Sequence, residues 1–201
     1  MPHIEAAAVI DVAAKAFRTQ SSQRPNGVDV TASLLALEKV AKQSRDVISS
    51  ESLLGTWQLC FSAGKKARYQ SGQPTGSGFY VPKIAIAQIT FAPDESVLTQ
   101  LAIANELSLG SLQIRFTGPA RYSGKKNLLA FDFTHLEVRC FNVLLYKGKV
   151  GSRNRAKKQS FAETKIGALP FFAFFAATED YIAARGRGGG LAIWVRPTKS
   201  T

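Results

Sequence analysis

Apolar residues in this chain recur with one period before residue 50 and with another after it. From Ile4 to Phe17, Ile4, Ala8, Val12 and Ala16 stand four apart with Val9, Ala13 and Phe17 beside them. That spacing predicts a helix with a broad apolar stripe. Ser21-Ser22-Gln23-Arg24-Pro25-Asn26-Gly27 is rich in breakers and predicts a loop. A second helix is expected after it, capped by Asp29 or Thr31, with Leu34, Leu37, Ala41, Ser44 and Ile48 as its apolar seam. Residues 1–50 therefore read as a helical segment lying on a second unit, residues 51–197.

At Leu53-Leu54-Gly55-Thr56-Trp57-Gln58-Leu59-Cys60-Phe61-Ser62 the period falls to two, with Trp57, Leu59 and Phe61 alternating against polar neighbours. Alternation with aromatics predicts a strand with one buried face. The stretch from Ala63 to Pro82 is long for a hairpin loop and holds Tyr69, Phe79 and Tyr80. Further strands are expected at Ile84–Phe91, apolar on both faces and so expected to be covered on both, at Leu98–Leu109, at Leu112–Phe116 and at Leu129–Phe133. Val138–Tyr146 reads as one more. Tyr181–Ala184 and Leu191–Arg196 flank the turn Arg185-Gly186-Arg187-Gly188-Gly189-Gly190, a glycine-rich hairpin. Short strands joined by turns, with no helices between them, predict a mainly β fold, an antiparallel up-and-down barrel preceded by two N-terminal helices.

Charge changes this picture in one respect. The net charge is +12, and residues 119–201 hold fifteen basic against five acidic residues. Lys147, Lys149, Arg153, Arg155, Lys157 and Lys158 form a run with no acid among them, followed by the cluster Leu169-Pro170-Phe171-Phe172. A basic face beside aromatic residues predicts contact with anionic membrane lipids. Nucleic acid is not expected as a partner, because the run lacks interleaved aromatics and any known module.

Candidate chemistry is sparse. His3, His135, Cys60 and Cys140 lack zinc spacing, so no metal site is expected. There is no nucleophile elbow, Walker loop or paired-carboxylate pattern, and the glycine run 188–190 leads into a strand, not a helix. The chain reads as non-enzymatic. Without a membrane-length apolar stretch or a secretory leader pattern, a cytoplasmic location is expected.

Two stretches, 53–62 with its Gly-x-Trp and 180–196 with its Arg-Gly turn and closing apolar strand, resemble the plastid lipid-associated protein (fibrillin) family in its cyanobacterial form. The resemblance spans about residues 30–197, and Ile182, Ala183, Ala184 and Arg187 depart from it where more acidic or polar residues are usual. It implies a lipocalin-like barrel at thylakoid membranes, on their cytoplasmic side, or at lipid globules. It also implies a structural closure in which Trp57, entered through Gly55, packs under Arg196.

A barrel of this strand number can enclose one small apolar ligand. The inward candidates are Phe61, Leu101, Ile103, Leu112, Ile114, Phe116, Phe131 and Phe133, with Phe79 and Tyr80 near the mouth. No cofactor is required. A bound lipid, quinone or carotenoid is the expected cargo. Two other readings are a peripheral subunit or assembly factor of a photosynthetic membrane complex, and a bilin lyase-like chaperone using Glu106 or Asp132 with Arg115.

Overall fold

The structure, a computed structural model, describes residues 2–82, 84–94, 101–150 and 160–197. Helices α1 (Pro2–Arg18) and α2 (Gly27–Ser44) pair with each other. The buried side of α1 is Ala6, Ile10, Ala13, Ala14 and Ala16, while Ile4 and Val12 are exposed, so the expected stripe is rotated. Small residues on that side let the helix approach its neighbours closely. The cap of α2 is Asn26 and not Asp29 or Thr31. Asn26 has an extended backbone, and its side chain accepts from the N–H groups of Val28 and Asp29. A single helical turn, α3 (Ser50–Leu53), is capped by Ser49 and leads directly into the first strand.

The strands are β1 (Gly55–Ala63), β2 (Arg68–Gln70), β3 (Gln73–Thr75), β4 (Gly78–Tyr80), β5 (Ala85–Pro93), β6 (Leu101–Leu109) and β7 (Leu112–Ser123). They continue with β8 (Leu128–Phe131), β9 (His135–Cys140), β10 (Val143–Lys149), β11 (Phe171–Ala177), β12 (Tyr181–Gly186) and β13 (Leu191–Val195). Eight of them close a ring of antiparallel pairs in the order β7-β6-β5-β1-β13-β12-β11-β8, with β8 returning to β7. This is a lipocalin-like up-and-down barrel. Two excursions leave the ring. The β2–β3 hairpin and β4 lie between β1 and β5, and the β9–β10 hairpin extends from β7.

Alternation sorts the side chains into two clusters. Trp57, Ile89, Phe91, Ile103, Leu129, Phe131, Phe174, Ile182 and Trp194 point into the barrel. Cys60, Phe61, Tyr181, Ala183, Leu191, Ile193 and Val195 point outward and pack with Ile10, Ala13, Leu34 and Leu35 of the two helices. The N-terminal helices thus cover the outer face of β1, β12 and β13. The outer face of β5 is not covered: Ile86 is exposed, against the expectation of a strand buried on both sides.

Two irregularities shape the ring. In β1, Leu59 pairs with Trp194 but Phe61 pairs with Ile193, so Cys60 is an extra residue in a bulge. The bulge changes the parity of the strand and turns Phe61 outward. In β7, residues 120–123 pair with β8 whereas residues 112–117 pair with β9, with a break at 132–134. Gly118 faces that break, where a Cβ would overlap the carbonyl oxygen of Asp132. Pro119 beside it has no N–H to return to Asp132, whose own N–H reaches the Pro119 carbonyl. Beyond the break, β9 pairs with β10 and not with β11, so the sheet splits and the hairpin projects as a wing.

Candidate functional site

The two ends of the barrel differ. At one end the chain enters through α3 and leaves after β13, and apolar packing seals it. Trp57 is fully buried and its indole N–H donates to the Leu53 carbonyl at 2.8 Å. The Arg196 guanidinium lies 3.7 Å from the Trp57 ring centroid, and its Nη1 donates to the Leu54 carbonyl at 2.8 Å. Burial holds the Arg196 pKa below its ordinary value. Gly55, at φ 104°, is required here twice over, because a Cβ would also overlap that guanidinium. Phe91, Ile103, Leu129, Phe131 and Phe174 fill the space above this floor.

The other end is open. A cavity of about 380 Å³ lies inside it, walled by Leu59, Ile89, Leu107, Ile114, Phe116, Phe172 and Trp194. A cleft outside the barrel near Arg18, Arg24 and Arg196 is smaller, about 210 Å³, and more polar. The inner cup is within the size range of ligand pockets. At roughly 30 Å³ per small group it holds on the order of a dozen non-hydrogen atoms, enough for one substituted ring or one isoprenoid segment. Its lining includes Asn105, whose side-chain amide has no hydrogen-bond partner among the described residues. An amide left free in an apolar wall is a ready partner for one carbonyl or hydroxyl of a guest.

The cup does not stop at the rim. Three cross-strand rows run from β5 through β6, β7 and β9 to β10 on the interior-facing side of the sheet. They are Ala85-Leu109-Leu112-Cys140-Val143, Ala87-Leu107-Ile114-Val138-Tyr146, and Ile89-Asn105-Phe116-Leu136-Gly148. Leu107, Leu109, Leu112, Val143 and Tyr146 are exposed along them. Phe79 stands on the opposite rim, 63% exposed, on the same face as Ser62, whose cross-strand partner Ala192 packs on the interior cluster. The other face carries Glu137, Arg139, Lys147 and Lys149 on the wing and Arg115 beside them on β7, with Leu144 near the tip. Lys147 reaches Glu137 at 2.7 Å, and this hydrogen bond holds the Glu137 carboxyl below its ordinary pKa.

The expected site residues are redistributed by this geometry. Ile114 and Phe116 line the cup. Ile103 and Phe131 lie in the packed half, and the Phe133 ring sits tilted between those of Phe131 and Phe116, at 5.1 and 5.6 Å. Leu101 packs with them, and Leu112 is on the rim. Phe61 is outside the barrel because of the β1 bulge, edge-on to Tyr80 at 5.2 Å. Tyr80 also faces outward, donating to the Pro25 carbonyl at 2.9 Å under the Arg24 guanidinium. Phe172 is a wall of the cup against Trp194, 5.3 Å away, and not a surface residue; Phe171 is half-buried. Val138–Tyr146 is two strands around a turn at Phe141-Asn142, not one strand. Of the basic run, Lys147 and Lys149 are on β10; Arg153, Arg155, Lys157 and Lys158 lie outside the described residues. Glu106 and Arg115 are cross-strand neighbours on the outer, polar face, away from the cup, and Asp132 is in the break. As cup residues the sequence reading missed Leu59, Ile89, Asn105, Leu107 and Trp194, and it assigned Phe172 to the membrane-facing surface. All five missed residues sit on strands that the sequence reading had identified.

A polar clamp braces the open end from outside. Arg185 of β12 donates through Nε and Nη2 to both Glu38 oxygens, at 2.8 and 2.6 Å, and through Nη1 to the carbonyls of Ala67 and Gly189. Lys42 adds a contact to Glu38 at 2.9 Å. Burial pushes the Glu38 carboxyl up, but the hydrogen bonds and charges of Arg185 and Lys42 outweigh it and leave the pKa below its ordinary value.

Other chemistry is limited. Both cysteines are free thiols, and burial pushes the Cys60 pKa up to about 12, so it stays protonated. Among the described residues no cluster of His, Cys, Asp or Glu could hold a metal ion, and no helix is long and apolar enough to cross a membrane. Comparison with protein-family models, curated proteins and solved structures returns no significant match.

Proposed function

We propose that this protein is a non-enzymatic binder of an apolar small molecule, held in the open half of its barrel, that works at an anionic membrane surface. The observation that carries the reading is the cup of about 380 Å³ with apolar walls and one half-buried amide, Asn105, that has no hydrogen-bond partner among the described residues. That combination suits a guest with a flat or branched apolar body and a single hydrogen-bonding atom. A quinone ring or a hydroxylated isoprenoid has this character; a complete carotenoid exceeds the volume and would have to project from the mouth. The resemblance of residues 53–62 and 180–196 to the fibrillin family supports a thylakoid membrane or a lipid globule as the setting. The net charge of +12 is in keeping with an anionic surface.

Trp194 on the cup wall supplies the assay. A short-chain quinone such as decylubiquinone, titrated without membranes, is expected to quench part of the tryptophan emission saturably. Trp194→Phe removes that signal, and Asn105→Leu weakens binding about five- to tenfold through the loss of one hydrogen bond. Absence of saturable quenching, together with no small molecule retained in native mass spectra of protein purified from its own host, would overturn the reading.

A further inference from the structure

We infer that the β9–β10 wing is the element that enters the membrane, tip first, and that it sets the mouth of the cup against the bilayer. The inference rests on the lipid-surface reading above and names the part of the molecule that serves it. The tip is a two-residue turn in which Phe141 and Asn142 both have positive φ, 48° and 64°. Phe141 is 79% exposed, and Val143 and Leu145 are 61% and 63% exposed. Leu144 and Tyr146 are also exposed, so five of the six residues 141–146 present apolar surface to solvent on both faces of an edge strand. The neighbouring β6–β7 turn adds Leu109 and Leu112 at the same end.

Such an edge is costly in water and is an aggregation hazard unless something covers it. Charge decides what covers it. The connections at the open end hold Lys65, Lys66, Lys165 and Arg187 against Asp132 and Glu163, and the wing holds Arg139, Lys147 and Lys149 against Glu137, so the described part of this end is net positive. A second copy would bring the same positive field against this one. An anionic leaflet complements it, and each basic residue near the surface adds attraction.

The geometry matches shallow insertion. Phe141 lies four residue steps along the hairpin from Glu137, the cross-strand partner of Lys147. At about 3.3 Å per residue that is on the order of 13 Å, which puts Phe141 and its neighbours near the acyl boundary and the basic residues among head groups. The unpaired backbone groups of β10 stay at interfacial depth, where head groups and water can satisfy them, because an open edge does not enter the hydrocarbon core. In that pose the rows through Leu109 and Leu112 form an apolar path from lipid to cup.

The test uses the full chain and vesicles of phosphatidylcholine with and without about a third of phosphatidylglycerol. The wild type is expected to float with the anionic vesicles, and Phe141→Ser with Leu145→Ser to reduce partitioning about tenfold for each side chain removed. A tryptophan at the tip, Phe141→Trp, is expected to be quenched by bromine placed shallowly on the acyl chains. Both tip positions are solvent-exposed, so thermal melts should be unchanged. Wild-type flotation that survives the double substitution overturns the inference. So does a wild type that ignores the vesicles but runs as a dimer that the same substitutions dissociate. Quinone quenching of Trp194 is measured on every variant without membranes: its loss in the wild type would condemn the cup reading, whereas its survival beside failed flotation condemns only the wing.

Discussion

The sealed and open ends of this barrel are built from the same alternating strands, yet one is packed and the other is a cup. At the sealed end, Trp57, Phe91, Ile103 and Phe174 interlock and are each less than 5% exposed. At the open end, Leu107, Leu109 and Leu112 occupy equivalent inward positions and remain exposed. Side-chain size alone does not account for the cup, because Phe116, Phe172 and Trp194 also wall it. The difference lies in the two irregularities of the sheet. The β1 bulge keeps the Phe61 ring out of the open half, and the break opposite Gly118 carries β9 away from β11, so the wall there has no facing strand. A cavity can therefore arise from where a sheet departs from regular pairing.

Substitutions should separate the two ends. The largest effect is expected at the seal: Trp57→Ala should lose about 4 kcal/mol of stability in denaturant titration, because it empties a fully buried site. A loss below about 1 kcal/mol would mean that the seal is not a packed core. Next comes the clamp bracing the open end. Glu38→Gln leaves the Arg185 charge uncompensated and should cost about 3 kcal/mol. Because the Glu38 pKa is lowered on folding, its contribution is complete above the ordinary carboxylate value of 4.5 and is lost as pH falls through the lower folded value. Hydrogen exchange in acid should then rise first at 64–67 and 187–190, beside the clamp, before the Trp57 floor opens; simultaneous opening would contradict the division into two ends. The smallest effect on stability belongs to the cup itself. Leu107→Ser should change the melting free energy by less than about 0.5 kcal/mol while weakening quinone quenching of Trp194.

Much of the barrel was legible because alternation survives in it. The strands around Ile103, Ile114 and Ile193 point where period two puts them, and the Trp57–Arg196 contact implied by the resemblance is present. The cup was harder to read because its cause is local. One extra residue, Cys60, inverts the facing of Phe61, and nothing in a Leu-Cys-Phe string announces a bulge. The wing was read as one strand because its turn is Phe-Asn, whereas tight hairpin turns with positive φ usually show Asn-Gly or Asp-Gly. Phe172 was taken for surface because four phenylalanines within five residues hide which of them face inward. Its neighbours Phe131 and Trp194, far away in sequence, settle that only when β11 is placed between β8 and β12.

The pairing of β1 with β13 also governs how the molecule can be made. β1 finds β5 soon after synthesis, but its other neighbour is translated more than a hundred residues later. At ribosomal speed that is a delay on the order of ten seconds, during which one side of β1 is unpaired and the two helices lack most of the floor they rest on. The meander β5–β6–β7 can assemble meanwhile from near-neighbour contacts, so ring closure is the late, high-contact-order step of folding.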